Sequence, residues 1–140
     1  MNSKPIITAI AFSLLLAGLS ACSSSAEILP TRAMPPGASF EGLWYSNYGD
    51  MRLQQEGNKV TGTFDYKLGG SIEGELQGGV LVFDWRQEGD LNLGRRDVFG
   101  KGYFVISDNG ISFEGKWGYA ESYSNGGTWT ANKATEIYKK

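Results

Sequence analysis

Residues 58–77 read NKVTGTFDYKLGGSIEGELQ. Within this stretch, residues 60–64 and 72–76 each alternate apolar and polar positions, with a glycine in the middle of the apolar face. A glycine that faces inward lets a neighbouring aromatic ring lie over the strand backbone and lets the strand coil tightly. The two runs are therefore predicted to be strands of a strongly curved sheet.

The same five-residue pattern returns outside this stretch, complete at residues 40–44 and 113–117 and partial at 102–104 and 127–129. No apolar period of 3.6 residues lasts long enough after residue 40 to indicate a helix. Alternation between turn signals predicts eight strands, at about residues 40–46, 49–56, 58–66, 69–77, 79–87, 98–107, 110–118 and 126–133. We therefore expect an all-β domain over residues 40–133, an eight-stranded antiparallel up-and-down (meander) β-barrel, followed by a C-terminal tail at 134–140.

Charged side chains such as Arg52, Glu73 and Lys101 fall on the other, outward face of these strands. A barrel that spans a bilayer needs an apolar outer band, and a mid-depth Arg or Lys there costs on the order of 2–4 kcal/mol. The pattern therefore predicts a barrel surrounded by water.

The start of the chain resembles a bacterial lipoprotein signal. Lys4 precedes an apolar run at residues 6–19, and Leu19-Ser20-Ala21-Cys22 matches the lipobox of an apolar residue, two small residues and a cysteine. The resemblance implies that residues 1–21 are a cleaved signal peptide and that Cys22 carries acyl chains such as palmitate, which anchor the protein in a membrane. In Gram-negative lipoproteins an Asp after the cysteine favours retention in the inner membrane, so Ser23 implies the outer membrane, on either of its faces.

Between the cysteine and the barrel, residues 22–39 contain three of the four prolines and no aromatic residue. This Ser- and Pro-rich composition predicts a flexible tether. The tether enters the first predicted strand at one end of the barrel, the end at which strands 2–3, 4–5 and 6–7 are joined by short turns. The opposite end is therefore expected to face away from the anchoring membrane.

Composition excludes many functions. The chain of 140 residues has no histidine and one cysteine, so it lacks a Ser-His or Cys-His nucleophile, an imidazole ligand, an internal disulfide and a thiolate metal cage. Its 13 Lys and Arg against 15 Asp and Glu give a formal charge of -2, which offers no reason to expect nucleic acid as a partner. We expect a non-enzymatic protein with no catalytic residue, metal site or cofactor.

Loop length separates the two ends of the predicted barrel. Strands 2–3, 4–5 and 6–7 are joined by tight turns, whereas the other connections are longer and lie together at the opposite end, the mouth. Binding sites usually lie in such loops and in barrel mouths. The candidate ligand- or partner-binding residues are Trp44, Tyr48, Tyr66, Trp85, Arg95, Arg96, Trp117, Tyr119, Tyr123 and Trp129.

These motifs resemble the avidin/streptavidin family. Gly42-Leu43-Trp44-Tyr45, then Gly49, then residues 60–64 are similar to its opening three strands. The likeness continues with Trp85, Gly102-Tyr103, Trp117 and Trp129. Gly-x-Trp is also the entry motif of lipocalins and fatty-acid-binding proteins, the wider calycin group, and some bacterial lipocalins are lipoproteins. The resemblance implies a barrel that can hold one small ligand.

Biotin recognition does not follow from this resemblance. In the family a tyrosine hydroxyl donates to the ureido oxygen of biotin, and Phe64 replaces that tyrosine here. Ser46 and Asp50 stand where the first loop of the family has Asn and Ser. Residues 130–133 after Trp129 read TANK and contain no Asp for a ureido nitrogen. A site without these polar groups loses most of its discrimination, so biotin is not the expected ligand.

Three functional hypotheses remain. The mouth binds a small apolar or aromatic molecule, or it binds an envelope protein in the manner of small protease or lysozyme inhibitors, or the barrel is an accessory that docks on an envelope complex. Inward glycines alternate with Trp and Phe, so side chains can fill the barrel or leave room for one ligand. A void of a few hundred Å³ open to the mouth favours the first hypothesis.

Overall fold

The computed structural model describes residues 26–135. The predicted signal peptide, Cys22 and the last residues of the tail, 136–140, lie outside the described residues. Eight antiparallel strands pair in chain order, and β8 pairs back with β1 to close the barrel, which confirms the predicted all-β meander. The strands are β1 (Gly42–Ser46), β2 (Gly49–Glu56), β3 (Lys59–Phe64), β4 (Gly70–Gln77), β5 (Val80–Gln87), β6 (Val98–Ile106), β7 (Ser112–Tyr119) and β8 (Gly127–Lys133).

Two strands begin two residues later than their predicted starts, for identifiable reasons. Phe40 does not extend β1, because its side chain is fully buried and its backbone N–H donates to Gln55 Oε1 at 3.0 Å. Gly110 does not extend β7, because it lies in the preceding turn with φ of 72°, in the left-handed region. Both residues belong to the closed end, where tight turns join β2–β3, β4–β5 and β6–β7.

Inward glycines accept aromatic rings, as the sequence pattern predicts. A Cβ added to Gly102 would lie 2.5 Å from Phe83 Cζ, and one added to Gly100 would lie 2.7 Å from Trp85 Cε2. Such distances are too short for carbon atoms in contact. The rings therefore occupy the space that a larger residue would need at these positions.

The half of the barrel nearer the closed end is filled with side chains. Phe104 stacks on Phe113 with ring centroids 4.2 Å apart, and Trp44 contacts Phe113 at 4.7 Å. Trp44 Nε1 donates to the Phe40 carbonyl at 2.8 Å, so the indole is both packed and hydrogen-bonded. This end of the barrel has the dense packing of an ordinary hydrophobic core.

The chain before β1 lies against the barrel from residue 26 onward. Residues 26–32, which we call the strap, begin beside the β7–β8 connection, where Glu27 accepts a hydrogen bond from Ser122 Oγ at 2.7 Å. Their other end reaches the closed end, where the Arg32 carbonyl accepts from Gly79 N at 2.7 Å. Residues 33–40 then cross the closed end and enter β1. No helix within residues 26–135 has the length and apolar character needed to cross a bilayer.

Candidate functional site

A pocket of about 310 Å³ opens at the mouth, above the filled half of the core. We call it the mouth pocket. Its lining is mainly aromatic, and the residues are Tyr48, Phe64, Tyr66, Lys67, Trp85, Gln87, Val98, Trp117, Tyr119 and Trp129. A larger groove of about 680 Å³ lies outside the barrel, between the strap and the outward face of β6–β8. The mouth pocket is the stronger candidate because aromatic rings cluster around it at the barrel mouth, whereas the groove lies on the outer wall and has a mixed polar and apolar lining.

Trp129 forms the floor of the mouth pocket. It is 3% exposed, and its ring meets Phe64 edge to face at 5.1 Å and Phe104 at 5.3 Å. Its Nε1 donates to Ser46 Oγ at 3.1 Å. Packing from below and a hydrogen bond at the side hold this indole in one orientation, so the floor is rigid.

The walls are built from perpendicular rings. Trp85 and Trp117 have centroids 5.4 Å apart and planes at 87°, and Tyr48 meets Trp117 at 5.7 Å and 90°. Trp85 Nε1 donates to the Gly118 carbonyl at 3.1 Å and to the Lys101 carbonyl at 3.2 Å, which fixes this wall to β6 and β7. Edge-to-face pairs are the favoured geometry for aromatic contacts, so the walls are held in place without a ligand.

Trp117 presents a polar group that the rest of the described chain leaves unpartnered. Its Nε1 is buried and has no hydrogen-bond acceptor among residues 26–135. A Cβ at Gly127 would lie 3.3 Å from this nitrogen and 3.4 Å from Tyr48 Oη, so both polar groups adjoin the same glycine. Buried polar groups are nearly always hydrogen-bonded, so an unpartnered indole N–H in a residue that lines a pocket points to an acceptor such as a ligand oxygen or water.

Lys67 supplies the charge at the edge of the pocket. Its backbone has φ of 54°, and its Nζ lies 5.2 Å from the centroid of the Tyr66 ring. Gln87 adds an amide, whose Nε2 donates to the Tyr66 carbonyl at 3.5 Å. A ligand in the pocket therefore contacts aromatic faces below and one cation with hydrogen-bonding groups at the edge.

The longest mouth connection, between β5 and β6, is held in shape by its own carboxylates. Asp97 accepts from Gly89 N at 2.9 Å and from Arg86 Nε at 2.8 Å, and these hydrogen bonds lower the pKa of Asp97. Asp90 accepts from Asn92 N at 2.9 Å and caps a short 3₁₀ turn, Leu91–Leu93. The connection is thus ordered by local hydrogen bonds, and its leucines, Leu91 and Leu93, are exposed.

The structure brings six of the ten predicted binding residues together around the mouth pocket: Tyr48, Tyr66, Trp85, Trp117, Tyr119 and Trp129. The other four lie elsewhere. Trp44 belongs to the closed-end core, and Arg95 and Arg96 are exposed in the β5–β6 connection. Tyr123 lies on the outer wall, with Lys101 Nζ 5.8 Å from its ring centroid.

Four lining residues were not among the predicted ones: Phe64, Lys67, Gln87 and Val98. Gln87 could have been found, because it lies two residues after Trp85 and shares its inward face by strand alternation. Lys67 gives no such signal, since its direction depends on the left-handed conformation of the β3–β4 connection.

The described residues contain no cluster of three or more Asp, Glu, His or Cys side chains that could hold a metal ion. The chain matches no protein-family model, and comparison with curated proteins and with solved structures gave no significant match.

Proposed function

We propose that this protein is a non-enzymatic envelope lipoprotein, anchored through Cys22, whose barrel binds a small flat aromatic or apolar molecule in the mouth pocket. The observation that carries the proposal is the aromatic mouth pocket of about 310 Å³ above Trp129, whose lining includes Trp117, a residue with an unpartnered N–H among residues 26–135. Sites for small molecules usually have volumes of about 300–1,000 Å³, so this pocket suits a ligand of one or two rings.

The lining also suggests the polar part of the ligand. An oxygen acceptor that reaches Trp117 Nε1 through a small shift of the wall beside Gly127 would satisfy this N–H and lie near Tyr48 Oη. A carboxylate or other anionic group at the pocket edge would be favoured by Lys67, which is the charged residue in the lining. We therefore infer an aromatic or apolar ring system with an oxygen acceptor and an acidic group at its outer edge.

The alternative is a protein-binding lipoprotein, either an inhibitor of a protease or lysozyme or an accessory of an envelope complex. This hypothesis expects a barrel filled to the mouth, with binding through the loops alone. The closed-end half of the core is filled in this way, but the space above Trp129 is open, which favours the small molecule.

Native mass spectrometry of the mature chain with Cys22→Ser, purified from its own periplasm, tests the proposal. We expect an added mass of a few hundred daltons that is released on unfolding. The variant Trp117→Phe should copurify with less of this mass, whereas Trp44→Phe, altered in the closed-end core, should retain it. A protein with no added mass that captures a specific protein partner would overturn the proposal in favour of the alternative.

A further inference from the structure

The strap places the start of the described chain at the mouth of the barrel. Both oxygens of Glu27 are engaged there, because Ser122 Oγ and Ser124 Oγ donate to one at 2.7 Å and the Tyr123 backbone N–H donates to the other. These three donors belong to the β7–β8 connection. The chain enters β1 at the closed end as expected, but it arrives there from the mouth, along the outer wall.

This path limits where a lipid on Cys22 can lie. Cys22 precedes Glu27 by five residues, and an extended chain advances at most about 3.6 Å per residue. The acylated residue therefore lies within about 18 Å of the β7–β8 connection. Arg32, at the closed end, is five residues further along the chain from Glu27. The described chain thus runs back from the mouth toward Cys22, so an acyl chain on Cys22 can reach a membrane that lies on the mouth side of the barrel.

The mouth exposes more large apolar side chains than the closed end does. Leu91 is 82% exposed and Leu93 66%, both on the 3₁₀ turn of the β5–β6 connection. Leu68 in the β3–β4 connection and Phe99 near the start of β6 are more than half exposed as well. We call these four residues the apolar rim. Among the described residues of the closed-end turns, Ile111 is the exposed large apolar side chain.

The two connections that carry the leucines of the apolar rim lie side by side, and both also carry cations. The connections are joined by a hydrogen bond of 2.9 Å from Glu88 N to the Gly69 carbonyl. Lys67, Arg95 and Arg96 are exposed in these connections, which also carry the exposed carboxylates Asp65 and Glu88. Apolar tips flanked by Lys and Arg suit a phospholipid surface, where leucine enters the acyl boundary and guanidinium binds phosphate. A group of exposed leucines is otherwise a liability for a protein in water.

We propose that the apolar rim docks on the phospholipid bilayer that holds the Cys22 anchor, so that the mouth pocket opens toward the membrane. The inference rests on the proposed acylation of Cys22 and does not require the pocket to be occupied. If the pocket has a ligand, this orientation makes the membrane its source, which agrees with an apolar lining.

Single-cysteine labelling tests the orientation in the lipidated protein. The chain has one cysteine, and acylation blocks its thiol, so an introduced cysteine is the sole free thiol for an environment-sensitive dye. The dye is placed at Leu91→Cys on the apolar rim or, as a matched control, at Asn58→Cys, exposed in a closed-end turn. In vesicles of phosphatidylethanolamine and phosphatidylglycerol we expect a blue shift and quenching by nitroxide lipids at Leu91 only. Equal signals at both sites, or a signal at Asn58 alone, would overturn the proposal.

A second measurement separates the rim from the anchor. The acyl-free Cys22→Ser chain should still float with the same vesicles, and Leu91→Asp with Leu93→Asp should reduce the bound fraction at least fivefold. Because both leucines are exposed, the circular dichroism of this variant should be unchanged. Flotation that does not depend on these leucines would overturn the docking proposal. An apolar rim that does not bind vesicles of pure lipid but binds a protein would overturn it as well. The added mass in native mass spectrometry should be the same in this variant, so the two proposals can fail separately.

Discussion

Trp85 and Trp117 meet edge to face with ring centroids 5.4 Å apart, although they come from strands that are separated by β6. Gly100 and Gly102 on the intervening strand make this contact feasible, because neither has a side chain that would fill the space between the two strands' inward rings. The pocket wall is therefore a consequence of the glycine pattern that also curves the barrel.

Truncation of Trp85 should destabilise the barrel. The side chain is 6% exposed and its Nε1 has two carbonyl acceptors, so Trp85→Ala removes packing and leaves those acceptors without this donor. We expect a loss of about 3–5 kcal/mol in the free energy of unfolding, measured by urea denaturation. Tyr45→Ala, on a side chain that is 54% exposed, is the control and should cost less than about 1 kcal/mol. Similar losses for both variants would contradict the assigned burial.

Replacement of Trp117 by Phe should affect binding more than folding. The change removes a buried N–H that has no acceptor among residues 26–135, so the unfolding free energy of the free protein should fall little or rise. A hydrogen bond to a ligand contributes about 1–1.5 kcal/mol, so affinity for the copurified molecule should fall about tenfold. Isothermal titration with the released molecule measures this change.

The matched control for Trp117 is Trp129→Phe. That indole N–H donates to Ser46 Oγ, so its loss should lower stability by about 1 kcal/mol or more. If Trp117→Phe destabilises the protein as much as Trp129→Phe and leaves affinity unchanged, then the Trp117 N–H has a structural partner and no ligand role.

Lys67 should set the preference for an anionic ligand. The dye 1-anilinonaphthalene-8-sulfonate joins flat rings to a sulfonate, so it should fluoresce on binding the folded protein. Lys67→Gln should weaken this binding by up to about fivefold, because an exposed ion pair contributes about 0.2–1 kcal/mol. Lys59→Gln, in an exposed pair with Glu73 near the closed end, should have no effect on the dye. An equal effect of both changes would show that general surface charge governs the binding.

Strand alternation made the barrel predictable, and it also predicted most of the pocket. Trp85, Trp117 and Trp129 are inward residues near the mouth ends of β5, β7 and β8. Their inward direction follows from periodicity, and their position near the mouth follows from loop length. Trp44 has the same inward phase but lies deeper. Its depth depends on the register of β1 against β8, which pairs Trp44 with Lys133, and a local pattern does not specify that pairing.

The strap could not be predicted from composition. Residues 26–32 have no alternation, and they continue a segment rich in serine and proline that is typical of a linker. What holds the strap is a contact between Glu27 and Ser122, which are 95 residues apart in the chain. A contact at that separation depends on the completed barrel, because only the closed fold brings the β7–β8 connection next to the path of the chain.

The strap should detach from the mouth in acid. Hydrogen bonds from Tyr123 N, Ser122 and Ser124 lower the pKa of Glu27 below its ordinary value of 4.5. A lowered pKa means that the carboxylate stabilises the attached strap fully above pH 4.5, and that this contribution is lost as pH falls through the lower pKa of the folded state. Loss of the charge weakens all three hydrogen bonds at once.

A spin label at Ile28→Cys in the Cys22→Ser chain reports this detachment, because Ile28 is 97% exposed and adjoins Glu27. The label should be restricted at neutral pH and gain mobility as the pH falls below 4.5 through the lowered pKa of Glu27, while the near-UV circular dichroism of the tryptophans shows that the barrel remains folded. With Glu27→Gln the label should be mobile at every pH, whereas Glu56→Gln, exposed at the closed end, should retain the original profile. If the Glu27→Gln protein shows the same dependence of label mobility on pH as the protein with Glu27, the carboxylate does not link the strap to the mouth.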